Sequence, residues 1–151
     1  MNLVIAGVVV VWLLIRQLTP RPVKEKSLFG VVVLAYGVFA ASTFPASAPV
    51  TVVDVAVLIG SAILGCALAA LRAFTVRLRR EGDRLVQQGT ALTALLWIVG
   101  LAQHLLSELL MTVPMLAQAT LLLYVGVVIV VQRAVLLARA RSAGHLAVHG
   151  R

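Results

Sequence analysis

Charge is scarce in this sequence. Of 151 residues only 12% are Asp, Glu, Lys or Arg, and just five are acidic, where soluble domains carry about 25% charged residues. That shortage excludes an ordinary globular enzyme, and it also excludes a disordered or coiled-coil chain. The single cysteine, Cys66, has no partner for an intramolecular disulfide and lies inside an apolar run, so it carries no redox signal. No HExxH, paired-Cys, CxxCH, GxSxG or P-loop pattern occurs, which removes the common signatures of zinc, haem, serine-nucleophile and nucleotide chemistry. Haem ligation by His104 with Met111 or Met115 would lack covalent attachment, and no cofactor is expected. There is no internal repeat and no Gly/Ser linker to mark a second domain.

What is abundant is apolar surface: 62% of residues are hydrophobic and the mean hydropathy is +1.07. A helix needs roughly 20 mainly apolar residues to cross the hydrocarbon core. Five stretches approach that length, at about 2–18, 27–44, 51–71, 90–106 and 114–138. Backbone groups in lipid must be satisfied within the segment, so helices are expected. The first stretch has no cation before its apolar core and no small-residue cleavage pattern at Leu18-Thr19-Pro20, so it reads as a retained helix rather than a signal peptide.

The cations are placed asymmetrically. Arg16, near the end of the first stretch and able to snorkel to the interface, joins Arg21, Lys24 and Lys26 between the first two stretches, and Arg72, Arg77, Arg79, Arg80 and Arg84 fall between the third and fourth. Arg133, Arg139, Arg141 and Arg151 follow the most apolar part of the fifth, which ends at about 131, while the connections near 45–50 and 107–113 contain no Lys or Arg. An alternating five-span chain collects every cation on one side, which the positive-inside rule makes cytoplasmic. The expected fold is an all-α membrane protein, a five-helix bundle with its N-terminus outside and C-terminus inside. A single transmembrane domain over 1–138 would be followed by a basic, fraying tail over 139–151. The net charge of +8 then points to anionic lipid headgroups and not to nucleic acid.

Residues 72–89 break the helical pattern. Phe74, Val76 and Leu78 alternate with Thr75, Arg77 and Arg79, and Glu81-Gly82-Asp83 supplies turn residues. The alternation predicts a short cytoplasmic β-hairpin, with Arg77, Arg79, Arg80 and Arg84 available to lipid phosphates or a partner protein. An amphipathic continuation of the third helix is the competing reading. The stretch LRAFTVRLRREGDRLVQQGTALTALLWIVGLA, through Leu71, Arg72, Thr75, Val76, Arg77, Gly82, Gly89, Leu92, Thr93, Leu96 and Trp97, resembles the hairpin and following helix of the CcdC-like family of small bacterial membrane proteins. The resemblance implies a multi-pass protein of the bacterial cytoplasmic membrane, with a family name linked to cytochrome c biogenesis, and it assigns no catalytic residue.

Ionisable groups within spans are costly and are functional hypotheses by default. Asp54, His104 and Glu108, with Gln103 and Gln118, fall in the outer layer of the five-span chain. One reading makes Asp54, His104 and Glu108 an acid–base site for an isoprenoid- or lipid-like substrate, with Gln103, Gln118, Trp97 and Tyr124 lining it. The same groups would serve a transporter or proton path. The plainer reading has Asp54 capping the third helix and His104 capping the fourth or pairing with Glu108 at the water boundary. His104, Glu108 and Asp54 also provide weak metal-ligand spacing, and His145 with His149 a chelating pair in the tail, but no metal site is expected. Ser61, Gly65 and Ala69 recur every fourth residue, with Ala56 and Gly60 one row over; such small residues pack helices within one chain or form a homodimer seam. The function that fits first is a small accessory membrane protein that binds a partner protein or lipid.

Overall fold

A computed structural model describes residues 11–12, 15, 18–22, 28–45, 49–82, 84–113 and 115–142. Most of the first expected helix lies outside the described residues, as do Arg16, Lys24, Lys26, Asp83, His145, His149 and Arg151. The order of elements is β1 (Arg21–Pro22), α1 (Phe29–Ser42), α2 (Val52–Thr75), β2 (Arg77–Glu81), β3 (Arg84–Gln88) and α3 (Ala91–Leu106). A 3-10 turn (Ser107–Leu110), α4 (Leu116–Ala119) and α5 (Leu121–Ser142) complete it. Among the described residues three segments are long and apolar enough to cross a membrane: α2 with 24 residues, α3 with its 3-10 turn with 20, and α5 with 22. The apolar α1 has only 14 residues, about 21 Å at 1.5 Å per residue. Ile63 and Leu64 on α2, and Leu92, Leu95 and Ile98 on α3, are exposed, forming the apolar outer surface that a bilayer would solvate.

Helix α2 opens with a capping box. Thr51 accepts from the Asp54 backbone N–H, and the Asp54 carboxylate accepts from the Thr51 N–H. The helix continues to Thr75, four residues past the expected end at 71, so Phe74 and Thr75 are helical. Alternation across so few residues fits a last helical turn as well as a strand. Here the Thr75 hydroxyl donates to the Arg72 carbonyl at 2.8 Å, and the extended backbone begins only at Val76. The hairpin is therefore 77–88 and not 72–89. Arg79 pairs with Val86 and Glu81 with Arg84. Gly82 begins the turn with φ 61°, a conformation that strains residues bearing a Cβ. A third strand, β1, pairs with β3.

The expected single helix over 114–138 is broken at Thr120, and α5 runs on to Ser142, into the stretch read as tail. Arg139 explains the extension, because its guanidinium donates to the Ala73 carbonyl and lies 5.0 Å from the Phe74 ring centroid. Helix α1 docks on α5 through glycine. A Cβ at Gly37 would overlap the backbone of Leu122 and Leu123, and one at Gly126 would stand 2.5 Å from the Leu34 Cα. Backbones this close maximise van der Waals contact, the main attraction between helices in lipid. Ala69, Trp97, Leu101, Leu121, Tyr124, Val125 and Val128 form the main core, and Ala73, Val76 and Leu136 a smaller one near the hairpin. Ser61, Gly65 and Ala69 are buried in these contacts, whereas a Cβ on Gly60 would meet nothing within 4 Å.

Candidate functional site

The bundle has two chemically different ends. At one end lie the N-terminus of α2, the 3-10 turn and the connection to α4. At the other lie the end of α2, the hairpin, the start of α3 and the last turns of α5.

Asp54 anchors the first end. Its Oδ1 accepts from the Thr112 N–H at 2.6 Å and from Val113 N–H at 3.4 Å. Its Oδ2 accepts from the Thr112 hydroxyl at 2.7 Å, and from the Thr51 N–H and hydroxyl at 2.8 Å each. A carboxylate with five donors is spent on holding the 111–113 segment against the start of α2. Glu108 plays a similar part: its Oε2 accepts from the Ala117 N–H at 2.7 Å in the first turn of α4, while its Oε1 is buried without a hydrogen-bond partner.

His104 sits one layer deeper, at the break between α4 and α5. Breaking a helix inside an apolar bundle frees carbonyls that the protein must satisfy. The His104 Nε2 lies 3.0 Å from the Ala117 carbonyl and its Nδ1 2.8 Å from the Ser61 hydroxyl. A carbonyl can only accept, so Nε2 carries the proton and a neutral imidazole satisfies both contacts. The ring is stacked on Tyr124 at 4.3 Å between centroids. Tyr124 donates to the Gly100 carbonyl at 2.7 Å and accepts from Gln103 at 3.0 Å. Gly65 makes room for this phenol, since a Cβ there would overlap the Tyr124 ring. Among the described residues no hydrogen bond joins any two of Asp54, His104 and Glu108, and none of their groupings could hold a metal ion. Gln118 is exposed and stands outside the network. Gln103 and Tyr124 belong to it; Trp97 belongs to the other end.

Trp97 meets Arg72. The Arg72 guanidinium lies over the indole, 3.9 Å from the ring centroid, a cation–π arrangement. Both side chains are 1% exposed. The Nε and Nη2 of Arg72 and the Nε1 of Trp97 have no hydrogen-bond partner, and neither does Oε1 of buried Gln132. Toward the hairpin, a threonine layer closes this region: Thr75 and Thr93 hydroxyls are 2.7 Å apart, and the Thr90 hydroxyl donates to the Thr75 carbonyl at 3.3 Å. Arg72 looked like a connection cation in the sequence. One signal would have placed it inside. The stripe Ser61, Gly65, Ala69 continues to Ala73, and Arg72 is three residues after Ala69 on that face.

Outside the threonine layer a cleft of about 930 Å³ opens between the hairpin and α5. Phe74, Val76, Leu78, Val135 and Ala138 give it apolar walls, and Arg77, Arg79 and Arg139 supply its cations. Arg77, Arg79 and Arg80 are exposed. Arg84 lies in β3, opposite Glu81 in the strand register. Arg139 was the missed member; the register of α5 beyond 138 was its only sequence signal. No known family model, curated protein or solved structure matches this chain.

Proposed function

We propose that this chain is a small, non-enzymatic multi-pass protein of the bacterial cytoplasmic membrane, similar to CcdC-like proteins, that binds an anionic amphiphile at its cytoplasmic face. The observation that carries this reading is the cleft: apolar walls for acyl or prenyl carbon, with Arg77, Arg79 and Arg139 around them. Arginine near a membrane surface gains about 1 kcal/mol against anionic lipid, and its planar fork suits phosphate oxygens. The gathering of the hairpin, β1 and the end of α5 at one end of the bundle supports the five-span, N-out and C-in arrangement, with that end inside. The role is then accessory, presenting or retaining a lipid for a membrane partner.

The acid–base alternative has one observation in its favour, the unpartnered Glu108 Oε1. Against it, Asp54 is saturated by donors from Thr51, Thr112 and Val113, and both ring nitrogens of His104 are engaged. The test compares Arg77→Glu/Arg79→Glu with Asp54→Asn for phosphatidylglycerol that stays bound to the protein in detergent micelles. Lipid binding should fall with the hairpin substitutions and survive Asp54→Asn. The opposite pattern would move function to the outer layer.

A further inference from the structure

A buried guanidinium without a counter-charge is an expensive feature. Among the described residues no carboxylate is bonded to Arg72; Asp54 and Glu108 are committed at the opposite end. The stack on Trp97 offsets part of the cost through the ring face, but the in-plane N–H groups of a guanidinium need acceptors. The two unpartnered nitrogens are informative as a pair. Nε and Nη2 form one edge of the guanidinium, and their N–H bonds run parallel. That edge is the fork that binds two oxygens of one oxyanion. The Trp97 N–H, also unpartnered and buried, belongs to the ring under the same guanidinium and is a further donor at this depth.

We propose that Arg72, through its Nε/Nη2 edge, is the anchor of a second anion site that takes a phosphate group, supplied by a phospholipid headgroup. This goes beyond the cleft and does not use its arginines. Depth favours a lipid source: the Arg72 backbone is three residues before the end of α2, about 5 Å along the axis, and its stacking partner Trp97 is six residues into α3, about 9 Å, so the site lies within about two helical turns of the headgroups at that end. The Arg72 side chain is buried against Trp97, so occupancy must shift the Arg72–Trp97 stack. That shift supplies a local optical signal, because the chain has two tryptophans and Trp12→Phe leaves Trp97 alone.

The experiment uses the full chain in detergent micelles, with bound lipid counted by native mass spectrometry and Trp97 emission followed in the Trp12→Phe background. Phosphatidylglycerol should stay bound to the wild type and shift Trp97 emission, while diacylglycerol, which has the same tails and no phosphate, should not. In the Arg77→Gln/Arg79→Gln background, which removes two of the cleft's cations, Arg72→Met should reduce phosphatidylglycerol retention by about tenfold or more, and Arg72→Lys should lose most of it too, since an ammonium has no parallel fork. Arg77→Gln/Arg79→Gln should leave this bound lipid and its Trp97 signal in place, which separates failure of this site from failure of the cleft. If inorganic phosphate alone reproduces the Trp97 shift in an Arg72-dependent way, the oxyanion site stands and its source is soluble phosphate. Equal retention by Arg72→Met, an equal emission change with diacylglycerol, or no Trp97 response to either phosphate source overturns the proposal. Should Arg72→Met fail to fold, the wild-type comparison of phosphatidylglycerol with diacylglycerol and the Arg72→Lys variant still decide it.

Discussion

Replacing Gly37 with alanine tests the packing of α1 on α5 at a single carbon. The added Cβ would overlap the Leu122–Leu123 backbone, which cannot turn aside as a side-chain tip can. Carbon atoms sit at about 3.5–4.0 Å when in good contact, so the helices must part by more than about 1 Å. Overpacking of this kind costs about 1–3 kcal/mol, and the better helix propensity of alanine returns at most about 1 kcal/mol. The net expectation is a loss of about 1–2 kcal/mol, or roughly 2–8 °C in Tm for a chain of this size. Gly60→Ala makes the same chemical change where a Cβ meets nothing within 4 Å, so it should be neutral or stabilising by up to about 1 kcal/mol. Gly126→Ala repeats the clash from the other helix, against Leu34. Because one separation relieves both, Gly37→Ala with Gly126→Ala should cost less than the sum of the two. Thermal unfolding in detergent, followed by far-ultraviolet circular dichroism, reads all four variants. If Gly37→Ala proves as stable as Gly60→Ala, the α1–α5 contact described here is wrong.

His104→Leu leaves the Ala117 carbonyl with only the Thr120 hydroxyl and the Ser61 hydroxyl with only Gln103, and should cost about 1–3 kcal/mol in the same melt; an unchanged Tm would refute the role given to this side chain. Nitrogen-15 NMR of the wild type should find the proton on Nε2 with Nδ1 bare, and the reverse tautomer would contradict the pairing with Ala117. Tyr124→Phe removes the donor to Gly100 and the acceptor for Gln103, with an expected loss of about 1–2 kcal/mol. For topology, Leu109→Cys and Arg79→Cys, each in a Cys66→Ala background, should react with an impermeant thiol reagent from opposite sides of an intact membrane. Labelling of both from one side would dismantle the five-span arrangement and the cytoplasmic assignment of the cleft together.

The helical character of this chain was legible because hydrocarbon demands long uninterrupted apolar runs, and 51–71 and 90–106 fall close to α2 and α3. The Asp54 cap was legible too, since a threonine three residues before an acid at a helix start has a local meaning. What eluded the sequence was contact between distant elements. Asp54 as a clamp depends on Thr112, and His104 on a helix break at Thr120, neither of which has a local signature near its partner. The ionisable residues Asp54, His104 and Glu108 each meet a backbone group, with one oxygen of Glu108 left over. In lipid that demand comes first: wherever regular helix stops, freed N–H and C=O groups recruit the nearest polar side chains. The interpretive order for such a chain follows from this. Polar residues whose partners are backbone atoms at a helix break are structural by default. Function is better sought at polar groups that the chain buries and leaves unanswered, among them Arg72 beside Trp97 and the Oε1 of Glu108.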